Sequence, residues 1–225
     1  MIHTLSEENY LKCIYRLYLD KVRKITPTAI ADMLGNNPAS VVDMIRKLSD
    51  KTLITYDKKK GVELTVIGLK DAALIVRRHR LWEVFLLEKL GYDWDEIHDI
   101  AEELEHIKDS TLADRLDKFL GFPEYDPHGD PIPQANGKMA KPYSLTLAEL
   151  KPSTICRVAA VRDTNSDFLQ YLLKLDIGIG TPIKLVEIIT FDNSLVISIN
   201  GKENTTVSQK FGQNILVDDS FSEDA

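Results

Sequence analysis

The pattern of apolar and polar positions divides the chain into a helical first half and a strand-rich last third. Tyr10, Leu11, Ile14, Leu17 and Tyr18 recur at helical spacing. They predict a helix over 7–20, with Ser6 as N-cap and Glu7 and Glu8 in the first turn. Thr26-Pro27 and Asn37-Pro38 each read as an N-cap followed by proline at the first helical position. Ala29, Ile30, Met33 and Leu34 form the buried face of the first of these helices, which Gly35 ends. Val41, Met44, Ile45 and Leu48 face inward on the second, which runs to Asp50. Two short capped helices joined by a tight turn are the pattern of a helix-turn-helix. Leu53-Ile54-Thr55-Tyr56 and Val62-Glu63-Leu64-Thr65 then read as strands around Asp57-Lys58-Lys59-Lys60-Gly61. A basic hairpin there makes the unit a winged helix-turn-helix.

Thr65 caps a predicted long helix over 66–90, with Leu69, Ala72, Ala73, Val76, Leu81, Phe85 and Leu86 apolar, and Gly91 stops it. Asp93 or Asp95 starts the helix carrying His98 to His106, and Ser110 starts another ending near Leu120-Gly121. These helices carry more apolar surface than one winged-helix unit can cover, which predicts a homodimer. Six of the nine prolines fall between Phe122 and Pro152, the composition of a linker. Short β signals follow at 155–159, 183–187, 195–199 and 215–217, interrupted by a helix from Phe168 to Leu175. The expected fold is therefore mainly α with a C-terminal small β-barrel. The expected domains are a winged helix-turn-helix (1–65), a helical dimerisation domain (66–122), a Pro-rich linker (123–144), a small β domain (145–218) and a flexible tail (219–225).

Composition narrows the function. No apolar run approaches the roughly 18 residues of a membrane span. The start of the chain lacks the basic and apolar segments of an export signal. Cys13 and Cys156 form no CxxC and no disulfide framework, which fits a reducing cytoplasm. The net charge of −7 is unevenly spread. Residues 1–70 hold twelve Lys/Arg against eight Asp/Glu, whereas residues 71–122 hold seven against thirteen. A basic head joined to an acidic middle is the asymmetry of a DNA-binding module attached to a cation-binding one.

On the winged-helix reading, the N-terminal part of the 38–50 helix enters the major groove of double-stranded DNA. Ala39, Ser40 and Asp43 then face base edges, with Thr28, Asn37 and Pro38 beside them. Arg46 and Lys47 suit backbone contacts, and Lys58, Lys59 and Lys60 reach phosphates. The acidic middle carries the candidate metal chemistry. Glu102, Glu105 and His106 stand at i, i+3, i+4, with His98 one turn earlier, and His79 and Glu83 form another i, i+4 pair. Such groups are expensive to bury unpaired, and a divalent metal resolves that. Taken singly, each pair is also what a solvated helix face looks like, and His3 and His128 are read that way. The same residues would suit a two-metal hydrolase, but HExxH, a Gly-rich phosphate loop and a nucleophile elbow are all missing. A winged-helix regulator responding to an organic ligand is the other alternative.

The order of these parts resembles the diphtheria toxin repressor family of metal-dependent transcription regulators, in its three-domain form. The resemblance rests on Glu8-Asn9-Tyr10-Leu11, Asn37-Pro38-Ala39-Ser40-Val41, Val62-Glu63-Leu64-Thr65, His79-Arg80-Leu81-Trp82-Glu83, the stretch from His98 to His106, and Asp126-Pro127-His128-Gly129-Asp130-Pro131-Ile132-Pro133. It implies a dimeric, non-enzymatic repressor of metal-uptake genes with an SH3-like (FeoA-type) third domain. It implies two metal positions: Glu102, Glu105 and His106 with Asn9 from the first helix, and His79, Glu83 and His98 completed by Asp163 or Asp167. Glu102 stands where iron-type members carry cysteine, so manganese(II) or iron(II) is the expected metal. Asn9 is neither the Asp nor the Met usual at its position, and Glu8 is the alternative ligand.

Overall fold

The computed structural model describes residues 3–109 and 111–218, so the helix start expected at Ser110 and the tail expected over 219–225 lie outside the described residues. The chain forms two compact units. The first holds the residues up to His79 together with 102–116 and 133–138. It opens with α1 (Leu5–Leu19), capped by Thr4 rather than Ser6. Thr4 Oγ1 accepts the Glu7 N–H at 3.3 Å, and Glu7 Oε2 accepts the Thr4 N–H at 2.9 Å. This reciprocal capping box satisfies two amide donors at once and so starts the helix earlier than the Ser6 signal implied.

Helices α2 (Pro27–Leu34) and α3 (Pro38–Asp50) begin where their caps predict: Thr26 Oγ1 accepts the Ala29 N–H at 3.1 Å, and Asn37 Oδ1 the Ala39 N–H at 2.8 Å. Strand β1 (Ile54–Asp57) pairs antiparallel with β2 (Gly61–Leu64), Asp57 opposite Gly61, so Lys58, Lys59 and Lys60 form the loop of the wing. Gly61 has φ +96°, and a Cβ on it would sit 2.5 Å from the Ile25 carbonyl oxygen. Only glycine lets β2 come close enough for the Val62 N–H to donate to that oxygen at 2.8 Å. Leu11, Ile14, Ile30, Val41, Leu48, Leu53 and Ile75 form the core beneath these elements.

Helix α4 (Val66–Phe85) is capped by Thr65, whose Oγ1 accepts the Gly68 N–H at 3.0 Å. It runs on as a π-helical turn, Leu86–Leu90, that Gly91 closes in the left-handed conformation. Helix α5 (Ile97–Leu104) is shorter than the acidic stripe suggested. It ends before Glu105 and His106, which therefore follow in a turn instead of sharing a helical face with Glu102. The Arg78 guanidinium donates to the Glu105 carbonyl at 2.5 Å, so a cationic side chain satisfies this helix-end acceptor. Helix α6 (Leu112–Phe119) completes this region.

The second unit holds Arg80–Ala101, Asp117–Ile132 and the chain from Met139 onward. Its sheet comprises β3 (Ile155–Val161), β4 (Pro182–Ile188), β5 (Leu195–Ile199), β6 (Asn204–Val207) and β7 (Ile215–Asp218). All pairs are antiparallel, in the order β6-β5-β4-β3-β7. The expected barrel is thus an open sheet among the described residues: no ladder joins β6 to β7, although bulges at Val158/Ala160 and Leu185/Glu187 bend it. Helix α7 (Ser166–Lys174) buries Leu169 and Leu172, and α8 (Gln209–Asn214) buries Phe211. The polar strand β6 and the six-residue α8 carry too little apolar periodicity to announce themselves. No described helix is long and apolar enough to cross a membrane.

Glu7, with no exposed surface, joins α1 to α3: Lys51 Nζ approaches its two oxygens at 2.7 and 2.8 Å, and Lys47 Nζ lies 3.2 Å away. Burial pushes its carboxyl up, but the Lys51, Thr4 and Lys47 hydrogen bonds outweigh this and bring it down to about 2. A carboxyl lowered on folding stabilises above its unfolded value, and that contribution is lost as pH falls through the folded one. Glu7→Gln should therefore destabilise the chain by about 2–3 kcal/mol at pH 7, measured by urea unfolding, with the deficit fading as pH falls from the unfolded value of 4.5 towards 2.

Candidate metal centre

In the first unit, α1, α4 and the end of α5 bring His79, Glu102 and Glu105 together, with one potential ligand atom of each within 4.8 Å of the others. Glu105 is fully buried. Its Oε2 faces His79 Nδ1 at 2.7 Å and Lys12 Nζ at 2.6 Å. Lys12 Nζ also donates to Glu102 Oε1 and lies 3.0 Å from His79 Nδ1. That ring nitrogen serves one neighbour at a time, donating to Glu105 or accepting from Lys12 according to its tautomer. Burial raises the Glu105 carboxyl, yet the His79 hydrogen bond and the Lys12 charge reverse the sign and hold it below the ordinary range. Among the described residues Glu105 Oε1 is buried without a hydrogen bond, and His106 Nε2 lies 3.8 Å from it. On the other side of that ring, His106 Nδ1 meets Glu8 Oε2 at 2.5 Å, and Arg78 holds Glu8 Oε1 at 3.2 Å.

The first-helix carboxylate at this centre is thus Glu8. Asn9 lies exposed on α1, because consecutive helical residues point about 100° apart and the face that buries Glu8 turns Asn9 to solvent. His79 directs Nδ1 to Glu105, and the group expected from the sequence, His79, Glu83 and His98, also brings one potential ligand atom of each within 4.8 Å of the others.

A second group lies in the other unit. Glu83, Asp126 and His128, all buried, bring one potential ligand atom each within 4.8 Å of the others. Glu83 Oε1 lies 3.2 Å from His98 Nδ1 and 3.7 Å from His128 Nδ1. The 122–152 segment, linker-like in composition, contains a tight buried turn here. Asp126 Oδ1 accepts the N–H groups of His128 and Asp130, both at 2.9 Å, and the Val161 N–H donates to the His128 carbonyl at 2.9 Å. Gly129 permits that approach: it has φ +83°, and a Cβ would lie 2.1 Å from the Ala159 oxygen. The Trp94 ring stacks on His128 at 5.8 Å, and Trp94 Nε1 donates to the Pro127 carbonyl at 3.0 Å. Burial, then the Glu83 charge, push the Asp126 carboxyl up to about 7, although Arg80 Nε stands 3.3 Å away. Burial alone would lower His128; Glu83, Asp126 and Asp130 outweigh it and raise it. His128 Nε2 is buried with no hydrogen-bond partner among the described residues.

Asp163 and Asp167 join neither group among the described residues. Asp163 Oδ1 accepts the Asn165 N–H at 3.0 Å, while Asp167 sits exposed in the first turn of α7. Three participants escaped the sequence reading. Lys12 stands at i+4 from Glu8, a spacing that puts a cation on the ligand face. Asp126 and His128 were visible as an alternating acid–histidine run, Asp126-Pro127-His128-Gly129-Asp130-Pro131, whose prolines signalled a linker instead. The candidate DNA-facing residues Thr28, Asn37, Pro38, Ala39, Ser40, Asp43, Arg46, Lys58, Lys59 and Lys60 are exposed, as is the Lys47 side chain.

Three family models match consecutive stretches: iron dependent repressor, N-terminal DNA binding domain (residues 4–62), iron dependent repressor, metal binding and dimerisation domain (65–134), and FeoA domain (145–219). The diphtheria toxin repressor of Corynebacterium diphtheriae is 28% identical over 208 residues, 88% of this chain and 90% of its own length. A manganese-dependent transcriptional repressor in complex with manganese superposes with TM-score 0.84 at 33% identity, covering 94% of this chain and 98% of its own. ScaR with bound Zn2+ gives TM-score 0.78 at 36% identity over 94% and 98%. The chain belongs to the iron-dependent repressor family of metal-dependent transcriptional repressors.

The two groups fit the divalent cation that such a repressor needs. Their donors are carboxylate oxygens and imidazole nitrogens, without sulfur, a hard-to-borderline set. Each contains or adjoins a buried atom lacking a hydrogen bond, Glu105 Oε1 or His128 Nε2. In the first, an ammonium already occupies the focus of the carboxylates. For the repressor's second group, the raised Asp126 carboxyl stabilises the fold below its unfolded value, and that contribution is lost as pH rises towards 7. Asp126→Asn should therefore raise metal-free stability at about pH 8 by on the order of 1 kcal/mol or more, measured by thermal melting in chelator, with the gain vanishing near the unfolded value of 3.8.

Proposed function

We propose that this repressor works as a homodimer that binds a palindromic operator in duplex DNA when manganese(II) or iron(II) is held by His79, Glu102 and Glu105. Glu8 and His106 flank that position, and Glu83, Asp126 and His128, with His98 beside them, form a second position. The carrying observation is the buried Glu105 carboxylate, with one oxygen unsatisfied, facing residues of α1. A bound divalent cation supplies two positive charges at the convergence of these carboxylates. The imidazole and oxygen donors support manganese or iron, in line with the manganese-bound relative.

The route from site to DNA runs through α1. Neighbouring residues on this helix face different partners: Glu8 and Lys12 the metal centre, Glu7 the recognition helix α3 through Lys51 and Lys47. A shift of α1 towards Glu102 and Glu105 would therefore be transmitted to α3. In the dimer, two such helices held about 34 Å apart would match successive major grooves. Ala39, Ser40 and Asp43 would then read base edges, and Lys58, Lys59 and Lys60 would reach phosphates. The reading extends, by family, to control of metal-uptake genes in the cytoplasm.

The test is fluorescence anisotropy on duplexes selected from a random pool by the manganese(II)-loaded chain. Binding should vanish with chelator and in Glu105→Gln, while sedimentation still shows a folded dimer; DNA affinity indifferent to chelation would sink the proposal. Replacing Lys58, Lys59 and Lys60 with Ala should weaken binding uniformly across sequences. It should also flatten the slope of log K against log salt by about 0.9 for each phosphate no longer neutralised.

A further inference from the structure

We propose that Lys12 is the resident counter-cation of the first metal centre: it holds Glu102, Glu105 and His79 together in the metal-free chain and must withdraw before they can take a divalent ion. The inference rests on the metal reading above and adds what sets the metal threshold. Lys12 Nζ is not at the edge of the group. It contacts a potential ligand atom on each of its three members: Glu105 Oε2 at 2.6 Å, His79 Nδ1 at 3.0 Å and Glu102 Oε1. An ammonium in that place and a bound cation would both need the same lone pairs, so their occupancies exclude one another.

Charge gives the exchange its direction. Glu105 has no exposed surface, and a second carboxylate adjoins it. Two such charges repel strongly in a partly dry site unless a cation stands between them. Lys12 supplies one positive charge on a flexible stem, enough to keep the metal-free fold intact. A divalent ion supplies two, so exchange gains one unit of charge at the same point. The Lys12 side chain retains 19% exposure, which gives the freed ammonium a path to water along its stem. Because Lys12 belongs to α1, its withdrawal also removes the contact by which α1 is held to Glu102 and Glu105 in the metal-free state. The ligands are then re-formed around the ion instead.

Two measurements test this. Amine acylation of the native chain, followed by peptide mass spectrometry, should find Lys12 protected without metal and several-fold more reactive once manganese(II) is added. Unchanged or reduced reactivity on metal loading overturns the proposal. Lys12→Met, which keeps the apolar stem and removes the charge, should bind manganese(II) roughly tenfold more tightly, the scale of one competing unit charge at contact distance, and should melt at a lower temperature without metal. If Lys12→Met does not fold without metal, the acylation of the native chain alone decides. Equal manganese(II) affinity in the native and Lys12→Met chains, with Glu105→Gln weakening both, overturns the competition and leaves the metal site standing. Stoichiometry unchanged by Glu105→Gln overturns both.

Discussion

A carboxylate without exposed surface keeps its charge only if positive or hydrogen-bonding groups come to it, and Glu105 is such a carboxylate. His79 arrives from α4, Lys12 from α1, and Arg78 takes the backbone carbonyl of the same residue. Three segments far apart in sequence are thereby fixed around one side chain. Keeping the charge leaves the centre under electrostatic tension, which a cation relieves.

The remainder of the first unit converts that tension into geometry. Helix α1 is held at one end by the Thr4–Glu7 capping box. On one face it meets α3 through the ion pair of the buried Glu7 with Lys51, and on another it meets the acidic centre. The helix-turn-helix and wing are rigid where rigidity is needed: capped helix starts, a core of aliphatic side chains, and a glycine that lets β2 close on Ile25. In the second unit the same principle recurs with other parts. Asp126, His128 and Glu83 are buried around a turn whose backbone is clamped to β3, with Trp94 covering the imidazole.

Much of this was legible in the sequence, and what was not had physical reasons. Helix starts at Thr26-Pro27, Asn37-Pro38 and Thr65 were readable because capping is local chemistry. The boundary of α5 was not, because the Arg78 guanidinium that takes the Glu105 carbonyl comes from a distant residue. The acidic and histidine residues announced a cation site, but spacing alone could not divide them. His79 joins Glu105 through tertiary packing, and Glu8 rather than Asn9 faces inward because of which side of α1 is buried. Asp126 and His128 were hidden by their prolines, whose composition resembles a linker while their backbone folds into a clamped turn. Strand β6 and helix α8 were too short and polar to register, and the open order of the sheet depends on pairings that no single strand encodes.

The central claim is that two buried acid–imidazole groups, one around Glu105 and one around His128, each hold a divalent cation. Counting bound manganese(II) at equilibrium, by electron paramagnetic resonance of the free ion, tests it most directly. The account predicts two ions per chain, one remaining in Glu105→Gln and one in His128→Gln, with the loss falling on a different binding phase in each. A native chain that binds no manganese(II), or a stoichiometry that neither substitution changes, would contradict it.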